Sequence, residues 1–219
     1  MIKHLIFDLD KTVYSETSKM SEGISRRIIG YCAKFFNIEF GECVLAREKA
    51  LQTYETTLSW LKACGLQDVD DYFSYVHPEN EVEELIPDPN LRPLLESIKL
   101  PKVILTNSPE EHAEHVLHRL GIRDLFAAEI SDIRKNDLKG KPYDFAYKNA
   151  LDIIGGTVSD TLFLDDWGAY VLGYAELGGI SVQVGSDPLP SGYKNYSGRI
   201  FKIKTIYELP NLLRKLNSK

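Results

Sequence analysis

The sequence predicts an α/β protein: a core built on a parallel sheet, interrupted after its first strand by an all-helical insertion. Three observations carry this reading. A short apolar run, Leu5-Ile6-Phe7, lies close to the start of the chain and stops at Asp8-Leu9-Asp10. The block from 14 to 87 has apolar residues at helical spacing and no convincing strand. From Pro87 onward, short apolar runs alternate with helical patterns, as right-handed βαβ units on a parallel sheet require. Residues 1–13 and 88–219 are therefore expected to form the core, and 14–87 a helical cap domain.

Taken in order, Ile24, Ile28, Tyr31-Cys32 and Phe35-Phe36 recur at three- and four-residue steps and predict a helix over 21–36. A second helix is read over 42–54. Glu55-Thr56-Thr57 interrupts the pattern, Leu58 to Lys62 resumes it, and Gly65 is a plausible stop. Asp70 to Val76 reads as one more short helix, and Leu91 to Leu100 as the first helix of the returning core. Lys102 to Thr106 is a buried strand, Glu110 to Leu120 a helix closed by Gly121, and Ala127 to Ser131 a strand. A helix over 143–154 precedes the strand Thr161 to Leu164, which ends in Asp165-Asp166. A helix over 169–177 then stops at Gly178-Gly179, followed by a strand over 180–184. A weak strand at 200–203 and a helix at 208–216 finish the chain, after a Pro/Gly/Ser/Tyr-rich loop at 187–198.

Composition narrows the function classes. Of the 219 residues, 43% are apolar and 26% charged, which is ordinary globular usage and argues against disorder. A formal charge of −6 supplies no basic stripe for a nucleic acid polymer, so an anionic ligand has to be held by local devices. Cys32, Cys43 and Cys64 lack C-x-x-C spacing, so neither zinc nor a disulfide framework is indicated, and three buried thiols are expected. No signal-type segment and no run of about 20 apolar residues is present, so a cytoplasmic protein without a membrane partner is expected, as a monomer or homodimer.

Burying an unpartnered carboxylate costs several kcal/mol, so acids at strand ends are expected to face a cleft or a cation. Four such ends are expected to meet on one rim, where ligands bind in an open α/β sheet. They are Asp8 and Asp10; Thr106-Asn107-Ser108, leading into Ser108-Pro109-Glu110 as a capped helix start; Lys141 in Gly140-Lys141-Pro142; and Asp165-Asp166. Carboxylates crowded without His or Cys point to a hard cation, Mg²⁺ above the transition metals. Beside such an ion a carboxylate is a nucleophile toward a phosphoryl group, and a second acid can protonate the leaving oxygen and then deprotonate water. Lys139 rivals Lys141, with Pro142 favouring the latter. His77 and His112 read as structural or surface residues, and Trp60 as core.

The pattern D-x-D-x-T after an apolar strand, T-N at a second strand end, K-P before a helix and D-D after a third strand resembles the haloacid dehalogenase superfamily of phosphohydrolases. The resemblance implies a Rossmann-like core with a helical cap, and turnover of a small phosphorylated metabolite through an aspartyl-phosphate. It implies Asp8 as nucleophile, Asp10 as general acid/base, Thr106 as a phosphoryl hydrogen-bond donor and Lys141 as the bridging charge. Mg²⁺ would be held by Asp8, the backbone carbonyl of Asp10, and Asp165 or Asp166. A narrower likeness, in Tyr54-Glu55-Thr56-Thr57-Leu58, in Asp71 to His77 and in Pro87 to Arg92, is to the pyrimidine 5′-nucleotidase branch, with Glu55 where that branch usually has glycine. The substrate-binding candidates are Tyr14, Asn107, which could also orient the acid/base loop or make a turn, and Thr56 and Thr57, which interrupt a helix as a substrate-facing cap loop or a plain helix-ending turn would. Lys11, Trp167 and Tyr170 depart from the family pattern, and the Lys11 side chain is expected to point away. The competing expectations are a sugar phosphomutase using the same Asp pair and, outside enzymes, a phospho-accepting receiver or binding module.

Overall fold

The structure, a computed structural model, describes residues 1–15 and 17–218. Along the chain, strand β1 (His4–Phe7) is followed by helices α1 (Lys19–Phe36), α2 (Phe40–Ala50), α3 (Thr57–Ala63) and α4 (Val69–Val76). Next come α5 (Leu91–Ser97), β2 (Lys102–Ile104), α6 (Glu110–Arg119), α7 (Asp144–Ile154), β3 (Thr161–Asp165) and α8 (Gly168–Glu176). Strands β4 (Ile180–Val184) and β5 (Ile200–Ile203) precede the terminal helix α9 (Leu209–Asn217). The chain divides into two compact units, Met1–Glu16 with Pro87–Lys219, and Thr17–Ile86.

In the first unit five parallel strands are ordered β2-β1-β3-β4-β5. The chain leaves β1 for β2 on one side and returns to β3 on the other, so β1 is the point where strand order reverses. Ligand crevices form outside the carboxyl ends of strands at such a point. Leu5, Ile6 and Phe7 are all buried, as a strand covered on both faces requires. On one face Ile6, Val103 and Phe163 pack under Ala146, Tyr147, Ala150 and Leu151 of α7 and Tyr174 of α8. The Tyr147 ring lies 5.3 Å from Phe163 and 5.4 Å from Tyr174, and its hydroxyl donates to the Tyr170 carbonyl at 2.7 Å. Each such buried aromatic contributes about 1.5–3 kcal/mol. The opposite face holds an edge-on Phe7–Phe126 pair at 5.6 Å.

Gly173 lets α8 approach closely, since a Cβ there would lie 2.9 Å from the Tyr147 hydroxyl and 3.0 Å from Pro142. The segment preceding α7 is thereby fixed at the sheet's edge.

In the second unit Ser18 caps α1 by accepting from the Ser21 amide at 3.1 Å, and Asn37 ends it in the left-handed region (φ 54°). Arg27 pairs with Glu81 and donates to the Val76 carbonyl at 2.6 Å, while the Tyr31 hydroxyl donates to Asp71 at 2.9 Å. His77 Nδ1 lies 3.0 Å from Glu81, one helical turn on. Trp60 stacks on Phe36 at 4.6 Å, the core role its spacing suggests.

Several details depart from expectation. The segment 127–131 is not a strand, and only an isolated Leu105–Ser131 bridge forms. Its amides at Ala127 and Ser131 reach the carbonyls of Lys102 and Ile104, so four residues advance beside two and the ladder cannot continue. Helix α5 stops at Ser97, short of Leu100. A 3₁₀ turn at Glu79–Glu84 was not anticipated. Cys32 and Cys43 are buried but Cys64, the residue that closes α3, is exposed, so the chain has two buried thiols rather than three. Among the described residues no helix is long and apolar enough to cross a membrane.

Candidate active site

Asp8 is the first residue after β1, and its amide is held by the Leu164 carbonyl at 2.8 Å, which extends the sheet to the base of the site. Lys141 arrives from the loop before α7, and its ammonium lies 2.6 Å from Asp8 Oδ1 and 2.6 Å from Asp165 Oδ2. The same nitrogen sits 5.1 Å from the Tyr170 ring centroid and 5.7 Å from that of Phe163. Two carboxylates and two ring faces thus surround one buried cation. Lys139, the rival lysine, is exposed and lies over the Tyr143 ring at 5.9 Å instead.

Asn107 explains how Lys141 is aimed. Its side-chain carbonyl accepts from the Lys141 amide at 2.8 Å and its NH₂ donates to the Lys141 carbonyl at 3.0 Å. That double bond is possible because residue 140 is glycine. Its φ is +64°, and a Cβ would stand 2.1 Å from the Asn107 oxygen. Asn107, expected to contact substrate, therefore has its amide engaged with the backbone that carries Lys141. Tyr170 lies beneath the ammonium, and burial pushes its phenol up to about 12.

The electrostatics show a shortage of positive charge. Burial raises Asp8, with Lys141 opposing and the charge of Asp10 adding to the rise. Burial likewise raises Asp165 well above the usual carboxylate range, against the pull of Lys141. Asp166 is pushed up to about 7 by burial and then by Asp8, while the charges of Lys11 and Lys141 pull it back. Lys11, in the left-handed region at φ 63°, is thus near enough to act on Asp166 and is not irrelevant to the site. Burial alone would lower Lys141, but Asp165 and Asp8 reverse this and hold it protonated.

One oxygen from each of Asp8, Asp165 and Asp166 lies within 4.8 Å of the others. Three carboxylates and one ammonium leave excess negative charge, and an all-oxygen set suits a hard divalent cation such as Mg²⁺. The donor set therefore fits the ion. The two aspartates closing β3 are not equivalent. Asp165 has both oxygens engaged, by Lys141 and by the Trp167 amide at 2.8 Å. The Asp166 side chain accepts no hydrogen bond among the described residues; its backbone carbonyl accepts from Gln183 at 3.3 Å. Asp166 is thus the better placed of the two to give a metal an oxygen.

Asp10 lies in different surroundings. Its Oδ1 accepts from the Tyr14 hydroxyl at 2.6 Å and lies 2.7 Å from His112 Nε2, and its Oδ2 accepts from the Ser108 hydroxyl at 2.8 Å. One expectation changes here. Ser108 does not cap α6, because its hydroxyl is turned to Asp10; the Asp132 carboxylate takes the Glu110 amide at 3.1 Å instead. Thr106 Oγ1, at the rim, accepts from the Ser108 amide at 3.0 Å. His112, read from sequence as structural or surface, is 1% exposed and contacts the second aspartate. Its position two residues into a helix that starts at the rim was the signal available. Tyr14, offered as a substrate contact, is a donor to Asp10.

Of the remaining candidates, Thr56 caps α3 in a reciprocal pair with Ser59, and Thr57 Oγ1 accepts from Arg47 Nε at 2.8 Å. Trp167 is 51% exposed just beyond the acid pair.

One carboxylate on a buried ammonium, a second acid with its own donors and a trio of carboxylates short of positive charge thus lie at the ends of β1 and β3. The chain matches the family model of haloacid dehalogenase-like hydrolases over residues 2–178 and belongs to that family. Among solved structures it is similar to a phosphatase of this family from Thermococcus onnurineus, at 18% identity and TM-score 0.65, covering 97% of this chain and 98% of that one. A haloacid dehalogenase-like protein of unknown function from Agrobacterium tumefaciens matches at 16% identity and TM-score 0.62, over 99% and 100% of the two chains. An L-2-haloacid dehalogenase from Xanthobacter autotrophicus matches at 19% identity and TM-score 0.59, over 98% and 99%. These likenesses establish the fold.

Proposed function

We propose that this hydrolase cleaves phosphomonoesters of small metabolites, with Asp8 as nucleophile and Asp10 as acid and base. The observation that carries the reading is the division of labour between the two aspartates. Asp8 lies on the Lys141 ammonium at 2.6 Å, while Asp10, two residues on, is held by hydroxyl and imidazole groups. A halide leaves without needing a proton, so a dehalogenase has no use for a positioned second acid. An alkoxide leaving group does need one.

In the first step an Asp8 oxygen bonds to phosphorus as the ester oxygen departs with a proton from Asp10. In the second, water bonds to phosphorus, Asp10 takes its proton, and the Asp8–phosphorus bond breaks to release phosphate. Lys141 offsets charge on Asp8 and on the transferred group, and Thr106 stands at the rim to donate to a phosphoryl oxygen. Asp8, Asp166 and the Asp10 carbonyl would hold Mg²⁺, which when bound neutralises phosphoryl charge and orients the group. Asp165 keeps Lys141 in place.

For the substrate we infer a nucleoside 5′-monophosphate, on the resemblance of residues 54–58 and 71–77 to the pyrimidine 5′-nucleotidase branch. The test is a phosphate-release screen with Mg²⁺ over nucleotides, sugar phosphates and phosphoglycolate, with Asp8→Asn as the blank. Preference for UMP and CMP supports the nucleotidase reading. Equal rates on all classes remove it while leaving the phosphatase, and an isomerised sugar phosphate without free phosphate moves the chain to the mutases.

A further inference from the structure

We propose that the helical unit holds a binding site for an oxyanion, a carboxylate or phosphate group, formed by the guanidinium of Arg47 with the hydroxyls of Thr57 and Tyr72. The anion is either a second acidic group of the substrate or a separate small anion. The site does not rest on the phosphatase reading, because its first test needs no turnover.

Arg47 lies on α2 and is partly buried. Its Nε donates to Thr57 Oγ1 at 2.8 Å, and Thr57, the first residue of α3, is 6% exposed. Neither Nη atom has an acceptor among the described residues, and no carboxylate of those residues pairs with it. The other partly buried arginine of this unit, Arg27, is matched by Glu81. A charge taken partly out of water without a partner costs free energy, so a guanidinium left in this state is expected to find its counter-charge outside the chain.

Tyr72, on α4, is a second and separate sign. It is 5% exposed, its ring is held edge-on by Tyr31 at 5.1 Å, and its hydroxyl makes no hydrogen bond among the described residues. The oxygen is not one of the fully enclosed unpartnered atoms, so it borders accessible space. Burial raises this phenol and the thiols of Cys32 and Cys43, and the charge of Arg47 opposes the rise in all three. The guanidinium is therefore turned into the helical unit rather than out to water. The Thr57 hydroxyl accepts from Nε, and its own hydrogen has no acceptor among the described residues. Each of the three groups thus has hydrogens to give and none of them meets a carboxylate. A cation would be repelled by the guanidinium, and an uncharged group would leave it unpaired. With Nε engaged, the two Nη groups still form a planar fork that matches two oxygens of a carboxylate or phosphate.

The first test is a melting titration of the whole chain with inorganic phosphate, and separately with malonate, in EDTA and with ionic strength held level by sodium chloride. Without a divalent cation the crowded carboxylates at the end of the sheet repel an anion, so binding there is weak. Both anions are expected to raise the melting temperature as their concentration rises. Arg47→Gln is expected to weaken that binding about tenfold or more, and Tyr72→Phe, which keeps the ring, about threefold or more. An equal gain in the unaltered chain and in Arg47→Gln, or no gain in either, would overturn the proposal. A lower melting temperature in Arg47→Gln with an undiminished gain would reduce the Arg47–Thr57 bond to a tie between α2 and α3. Should Arg47→Gln fail to melt cooperatively, Tyr72→Phe carries the test, and an undiminished gain there overturns the site. Turnover with Mg²⁺ then separates the two sources of the anion. Phosphoglycolate carries a carboxylate beyond its phosphate, and p-nitrophenyl phosphate carries none. A fall of about tenfold or more in the ratio of their kcat/KM values in Arg47→Gln assigns the anion to the substrate. A level ratio beside the lost stabilisation assigns the site to a free anion. If the unaltered chain hydrolyses neither ester, the phosphatase reading falls and the melting titration still decides the site.

Discussion

Asp8 and Asp10 are two residues apart on one loop, yet their surroundings have little in common. Asp8 is buried and lies 2.6 Å from an ammonium that is equally close to Asp165, with Asp166 within reach of both carboxylates. Asp10 is partly exposed and held by a phenol, a serine hydroxyl and an imidazole. The first setting concentrates charge and leaves it unbalanced; the second holds a carboxylate between two hydroxyls and an imidazole. On the proposed mechanism, identical side chains in these two settings do different work, one attacking under a cation and one transferring a proton.

The strongest way to break this comparison is to remove the charge of Asp8 alone. Asp8→Asn is expected to bring phosphate release to the blank level while the circular dichroism melt stays at or above that of the unaltered chain. The variant loses the nucleophile but also a charge that repels Asp165 and Asp166, and Lys141 keeps Asp165 at 2.6 Å. Retained turnover would end the assignment of Asp8.

Lys141→Met should separate the two settings by stability. Removing a buried ammonium leaves Asp8 and Asp165 uncompensated, a loss of about 3–5 kcal/mol in urea unfolding, together with turnover. Tyr14→Phe, which takes one donor from Asp10, should cost about 1 kcal/mol, because water can replace a hydroxyl at a partly exposed carboxylate. Comparable losses in the two variants would mean that the contrast in charge has no energetic content.

The acid pair after β3 offers a sharper cut. Asp165 has both oxygens engaged by protein donors, whereas the Asp166 side chain has none among the described residues. Asp166→Asn is therefore expected to raise the Mg²⁺ concentration for half-maximal activity about tenfold or more. Asp165→Asn should act chiefly on the melting temperature. Titrating Mg²⁺ against both variants checks the assignment, and the reverse order of effects would exchange their roles.

How much of this was readable beforehand follows from the range of each interaction. Strands β1, β3 and β4 are continuous apolar runs and declare themselves by composition, and the helical block shows its period directly. Segment 127–131 has the composition of a strand, but its mismatch of four residues beside two in β2 belongs to the tertiary path. In the site, Asp8, Lys141 and the Asp165-Asp166 pair were legible because charged groups at strand ends need a cation or a cleft. Asn107 and Ser108 were seen as rim residues with the wrong partners. Their choice of Lys141 and Asp10 depends on Gly140 permitting a close approach and on Asp132 taking the helix cap. His112 was passed over because one histidine on an amphipathic helix carries no sign of what it faces until β1 and α6 are set side by side.

The smallest effect comes from the other end of β3, where Asp160 serves as the control for every raised carboxylate at the rim. It precedes the strand, its Oδ1 accepts from the Thr157 amide at 2.8 Å, and that bond holds it down at about 2, although burial opposes the shift. Asp165, five positions on along the same strand, is raised instead, because its amide and ammonium partners do not outweigh complete burial and two neighbouring acids. The signs of their contributions therefore differ. A carboxylate held below its unfolded value stabilises the fold above about pH 4 and loses that contribution as pH falls through about 2. Asp160→Asn is expected to cost about 1 kcal/mol at neutral pH, the size of a turn hydrogen bond at a partly exposed site. The cost should stay level down to about pH 4 and vanish between about 4 and 2, as read from urea midpoints at stepped pH. A difference that instead grew on acidification would place the Asp160 carboxylate among the raised ones, and the contrast between the two ends of β3 would fail.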